Sequence, residues 1–188
     1  LIDLAVQYLN NDYSVAVVDG ERISKSKWHK TLESAYGSSV AQQLIDEQII
    51  RAEAKKADIK VSEDEINQQI TDIETSLGGK EALDTALAAN NITLEQLKEQ
   101  VELDLLSTKI LTPQIKYTED DVKSFFDQYS DVIFPNETAA LEKGAKLDFD
   151  QYKAQTEEVY IQQQVQSKQS SWLTEVGANY RIQDNSVN

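Results

Sequence analysis

Hydrophobic positions recur every three or four residues along most of the chain, and β-branched runs of strand type are short. Ser14-Val-Ala-Val-Val-Asp19, followed by Gly20 and Glu21-Arg22-Ile23, predicts a strand, a tight Asp19-Gly20 turn and a short return strand. Ser24 is placed to cap a helix that carries Trp28, Leu32 and Ala35 on one face, and Tyr36-Gly37-Ser38-Ser39 is expected to end it. The next helix covers about residues 40–57, with Val40, Leu44, Ile45, Ile49 and Ala52 in one stripe. Ile50 widens that stripe and makes this the most buried helix. Ser62-Glu63-Asp64-Glu65 is a capping box, and the helix it opens carries Ile66, Ile70, Ile73 and Leu77 before Gly78-Gly79 stops it. A shorter helix over about 80–90 presents Leu83, Ala86 and Leu87 and ends at Asn90-Asn91. Thr93-Leu94-Glu95-Gln96 is a second capping box; its helix bears Leu94, Leu97, Val101, Leu105, Leu106 and Ile110, and Pro113 forbids continuation. Thr118 starts a helix with Val122, Phe125, Phe126 and Tyr129. Residues 130–147 are irregular, Asp148 precedes a long helix over about 149–176 with a glutamine-rich middle, and 178–183 reads as a last short strand.

These elements make a mainly α, multi-helix protein, with a small hairpin near the N-terminus expected to pair with the short C-terminal strand. Five segments follow: 1–13 as an N-terminal segment, 14–131 as the helical body, 132–147 as a loop, 148–183 as a returning helix and strand that complete the body, and 184–188 as a tail. Leu1-Ile2-Asp3-Leu4-Ala5-Val6 is apolar and opens on Leu, not Met. It reads either as the end of an upstream signal or anchor, the only route to a membrane, or as a short helix packed on the body. Long helices joined by short links also permit a domain-swapped homodimer.

Composition narrows the chemistry. The chain has 188 residues, no Cys, one His and a net charge of −15. There is no disulfide framework, no thiol nucleophile and no His-rich zinc site. The charge repels phosphate backbones, so nucleic acid is not an expected partner. Part of that charge sits in helix first turns (63–65, 95 and 119–121), where it complements the helix dipoles. His29 reads as a surface residue, and the many carboxylate pairs read as solvated faces rather than a glycosidase pair. Asp19-Gly20 lacks the preceding ligands of a calcium loop, and Gly78-Gly79-Lys80 lacks the strand and spacing of a phosphate loop. Asn136-Glu137-Thr138 is a glycosylation sequon only in a eukaryotic secretory setting. No catalytic residue, cofactor or metal is expected.

The ordered set of motifs resembles extracytoplasmic foldases of the SurA and PrsA type. Val15-Ala-Val-Val-Asp-Gly-Glu-Arg-Ile-Ser24 is similar to the opening of that family, and Trp28 matches an aromatic in its first helix. Ala41-Gln-Gln-Leu-Ile-Asp-Glu-Gln-Ile-Ile50, Ile59-Lys-Val-Ser-Glu-Asp-Glu-Ile66, Leu94-Glu-Gln-Leu-Lys-Glu-Gln-Val101 and Tyr117-Thr-Glu-Asp-Asp-Val122 resemble its later segments in order and spacing. The stretch from Phe149 to Ile182 resembles the helix and strand that complete its chaperone domain. Many members carry a parvulin-type isomerase domain after the helix matched here by 119–130; residues 132–146 are too few to form one.

The resemblance thus implies a chaperone module without isomerase catalysis, placed outside the cytoplasm and binding unfolded or partly folded polypeptides. Such binding needs adaptable apolar and aromatic groups on a concave surface. The candidate contacts are Phe125, Phe126, Tyr129, Ile133, Phe134, Tyr152 and Tyr160, each of which an ordinary core would use as well; Phe134, beside Pro135 in a loop, is the one expected to be exposed. Two rival readings stay open at this point: the scaffold of a peptidyl-prolyl isomerase whose parvulin domain has been removed, and an acidic protein that binds one folded partner.

Overall fold

The computed structural model describes residues 14–142 and 145–186. The segment expected at 1–13, the Lys143-Gly144 part of the expected loop and the last two tail residues lie outside the described residues. The protein is mainly α-helical. A hairpin of β1 (Ser14–Val18) and β2 (Glu21–Ser24) precedes α1 (Lys25–Lys56), α2 (Glu63–Leu77), α3 (Lys80–Ala89), α4 (Leu94–Leu111), a 3-10 turn (Thr112–Gln114), α5 (Glu119–Ile133), α6 (Pro135–Ala139) and α7 (Phe149–Gly177).

The chain divides into two compact units, one of residues 1–48 with 180–188 and the other of residues 49–179. In the first, β1 and β2 pair antiparallel with Ala16 opposite Ile23, Val17 opposite Arg22 and Val18 opposite Glu21. Asp19 and Gly20 both adopt positive φ (50° and 88°), as a two-residue turn matched to strand twist requires. Ser24 Oγ accepts a hydrogen bond from the Lys27 amide (3.2 Å) and caps α1 as expected.

Three expectations are corrected. Helices expected to separate at residues 36–39 are one 32-residue helix. Gly37 costs a helix only about 1 kcal/mol, and the Ser39 hydroxyl donates to the Tyr36 carbonyl instead of breaking the turn. The C-terminal strand does not form: the described sheet has two strands, and residues 178–186 are turn and coil. Asp184 accepts the Ser186 amide (2.8 Å) in a local turn, and Ile182 stays 45% exposed, so pairing there would bury little. Finally, the expected loop at 132–147 is partly helical. α5 runs to Ile133, and Pro135 opens α6 at the position where its missing N–H costs nothing.

The second unit holds the core. Ile50, Ala54, Leu103, Leu106, Leu111, Val165 and Trp172 form one buried cluster; Ile66, Ile70, Leu83 and Val101 form another. The caps that frame its helices are those the sequence predicts. Ser62 with Glu65 and Thr93 with Gln96 make reciprocal capping boxes, and Gly78 ends α2 in the left-handed conformation (φ 96°). Thr118 and Asp121 form a third box at α5. Gly177 is the last residue of α7, and a Cβ there would meet Ile49 Cδ1 at 3.4 Å, an ordinary van der Waals contact.

Candidate functional site

The aromatic residues singled out in the sequence converge in the second unit, on facing sides of α5 and α7. Val122, Phe125 and Phe126 recur at helical spacing on α5 and turn inward, as do Tyr152, Thr156 and Tyr160 on α7. Phe125 packs on Tyr129 (centroids 5.0 Å) and edge-on to Tyr160 (5.4 Å). Phe126 meets Phe149 (5.5 Å) and Phe134 (6.2 Å), and Phe134 lies 4.7 Å from Tyr152. Phe125, Phe126 and Phe134 are buried; Tyr129, Ile133, Tyr152 and Tyr160 are half-buried. The exposure expected of Phe134 is therefore corrected to 9%: the turn at Pro135 folds its ring back onto the cluster. Thr156, fully buried, satisfies its hydroxyl on the Tyr152 carbonyl (2.8 Å). Tyr117, also against Tyr160, donates its hydroxyl to the Glu157 carboxylate, and this bond raises the phenol's pKa. Lys153 bridges to Glu119 (2.7 Å) and lowers that carboxyl's pKa.

A run of exposed apolar side chains lies elsewhere, in the first unit. Trp28, Leu32, Tyr36, Val40 and Leu44 follow one another at four-residue spacing along α1 and are 37–61% exposed. Four-residue steps fall just beyond one turn, so they trace a slowly winding stripe on the helix surface. Val15, Val17, Val18 and Ile23 of the hairpin are exposed as well. Sequence periodicity marks Trp28 and Leu32 as one face of a helix, and Val40 and Leu44 as part of an apolar stripe on the next. Periodicity finds an amphipathic face, but it does not say whether anything covers it.

His29 stands beside the Trp28 ring (5.0 Å), and no cluster of metal-ligating side chains occurs among the described residues. Glu65 has its pKa lowered to about 2, chiefly by the hydrogen bond from Lys109 and then by the Ser62 amide and hydroxyl. Lys109 reaches Glu65 at 2.6 Å and also donates to the Lys60 carbonyl (2.8 Å), so the pair ties α4 to the start of α2. These are structural charges. No helix of the described residues is long and apolar enough to cross a membrane.

Comparison with known proteins places this arrangement. Residues 33–111, which run from the exposed stripe through the capping boxes to the end of α4, match the family of SurA-like N-terminal domains. That stretch is similar to a SurA-like N-terminal domain. It is 33% identical over 153 residues to the foldase protein PrsA of Geobacillus kaustophilus, an alignment covering 77% of this chain and 51% of that protein. It is 24% identical over 115 residues to a putative peptidyl-prolyl cis-trans isomerase, YacD, of Bacillus subtilis, covering 61% and 37% of the two chains. The chain thus spans about half or less of the length of these relatives. The crystal structure of PrsA from Bacillus subtilis shares the fold, with a TM-score of 0.58 at 17% identity over 93% of this chain and 95% of that one. Residues 134–148 separate α5 from α7 in this chain.

Proposed function

We propose that the protein is an extracytoplasmic foldase-like module that binds unfolded or partly folded polypeptide segments and does not itself catalyse proline isomerisation. The exposed apolar stripe on α1 carries this reading. Five uncovered large apolar side chains recurring along one helix make the kind of surface that marks a binding site. Contacts of this kind are non-directional and tolerate many sequences. The half-buried Tyr129, Ile133, Tyr152 and Tyr160 at the rim of the aromatic cluster are proposed as further client contacts, while the buried Phe125, Phe126 and Phe134 hold that rim in place. Homology to PrsA foldases supports the foldase-like role. The absence of catalysis is proposed because the residues between α5 and α7 are too few for a domain. Envelope localisation, with a tether on the N-terminal side, belongs to the same proposal and is checked by fractionating cells.

The test has two arms. In the first, the protein at equimolar ratio suppresses light scattering by an aggregating reduced client. In the second, a protease-coupled proline peptide assay runs at the uncatalysed rate. No suppression of aggregation overturns the binding reading, and measurable acceleration of isomerisation overturns the non-catalytic part.

A further inference from the structure

A second concave surface lies in the second unit, where α2, α4 and α7 leave a cleft of about 350 Å³. Four glutamines converge on it: Gln69 from α2, and Gln162, Gln166 and Gln169 from α7. Val101, Leu105 and Val165 give it an apolar floor. Gln169 donates to Ser107, a buried hydroxyl at the bottom (3.2 Å), and is held in place by it. Gln69, Gln162 and Gln166 make no side-chain hydrogen bond to another described residue. Elsewhere, Gln42, Gln43 and Gln68 each spend their amide on a carboxylate one turn ahead. Other exposed glutamines are unpaired too, but these three face one hollow.

We propose that this cleft holds an extended stretch of client polypeptide by its backbone, with Asp104 receiving a cationic side chain. This rests on the reading that the protein binds unfolded segments, and it assigns part of that binding to a place. A glutamine side chain is itself an amide, with a carbonyl acceptor and an N–H donor. A row of them matches the N–H and C=O groups that every extended chain carries, whatever its sequence. Those backbone groups must find partners when they leave water. The apolar floor receives the side chains that alternate toward it. Asp104 is the single ionisable group in the lining. Asp104 is an exposed carboxylate that a lysine or arginine can approach, and partial burial by the cleft wall raises its pKa despite an opposing hydrogen bond from Gln100. The sequence hides this site because a glutamine-rich helix middle reads as a solvated face; only the approach of α2 and α4 makes it a hollow.

The experiment measures binding of a fluorescein-labelled, permanently unfolded client (reduced, carboxymethylated lactalbumin) to the full chain, together with two short extended peptides differing only by a central Lys or Glu. Gln162→Leu with Gln166→Leu removes both amides and keeps helix propensity. Client affinity is expected to fall at least about fivefold, the equivalent of two ordinary hydrogen bonds. The Lys peptide is expected to bind several-fold more tightly than the Glu peptide, a preference that Asp104→Asn abolishes. A folded double variant that binds the client like the wild type, beside a wild type indifferent to Lys or Glu, overturns the cleft and leaves the binding reading standing. A wild type that binds no client overturns both. If the double variant does not fold, a photo-crosslinking residue at Gln69 decides: a client adduct supports the cleft, and its absence overturns it.

Discussion

Replacing Trp28 and Tyr36 by glutamine removes the two aromatic rings of the exposed stripe and leaves the helix a good helix former. Trp28 is 44% and Tyr36 is 61% exposed. With about 200 Å² per ring, some 90 and 120 Å² are uncovered. At ~25 cal/mol per Å², a client covering half of each would gain about 2.5 kcal/mol. Ordering the side chains takes back roughly 0.5 kcal/mol each, which leaves about 1.5 kcal/mol, or a tenfold loss of affinity in the double variant. Fluorescence anisotropy with a labelled unfolded client measures this. The fold should be indifferent, because exposed side chains outside a core change stability by less than about 0.5 kcal/mol. Affinity within twofold of wild type, with an unchanged melting curve, would refute the assignment of binding to α1. A loss of more than about 2 kcal/mol of stability would refute it in another way, by showing that the stripe is core.

Other substitutions test the frame that presents these surfaces. Phe126→Ala takes out a 4% exposed ring that touches Phe134, Phe149 and Tyr152, and should cost about 3–5 kcal/mol in urea unfolding, the range for large aromatic truncations. Ser62→Ala deletes one half of the α2 capping box and should cost about 1 kcal/mol, read from the same unfolding curves. Glu65 has a folded pKa of about 2, below its ordinary value of 4.5, so its contribution is present above pH 4.5 and is lost as pH falls toward 2. Wild-type stability should therefore decline more steeply between pH 5 and 2 than that of Glu65→Gln, and parallel profiles would show that the Lys109 and Ser62 partners do not act on folding.

Much of the fold is legible because its punctuation is local. The Asp19-Gly20 turn, the boxes at Ser62 and Thr93, the stop at Gly78 and the break near Pro113 each depend on a few adjacent residues, and all appear where the sequence places them. What stays hidden depends on distant partners. Tyr36-Gly37-Ser38-Ser39 looks like a helix stop, yet here the helix carries through it. Ile182 looks like strand, but it gains no burial that would reward pairing. Phe134 looks like an exposed loop residue until Pro135 turns it onto Phe126 and Tyr152. The candidate surface is hidden for the same reason. An apolar stripe in sequence is the same whether it is covered, as around Phe126, or uncovered, as around Tyr36, and glutamines become a lining only when two other helices flank them.

The charge of −15 takes on a role in this light. A helix that leaves Trp28, Leu32, Tyr36, Val40 and Leu44 uncovered would offer a second copy the same adhesive surface that it is proposed to offer a client. Burial at the usual ~25 cal/mol per Å² would favour self-association as readily as binding. What separates the two is net charge. Two copies carry the same large negative charge and repel at long range, whereas an unfolded chain of neutral or positive charge does not. Acidity and apolar exposure are therefore not independent features of the sequence: the first is the condition under which the second can remain open to solvent.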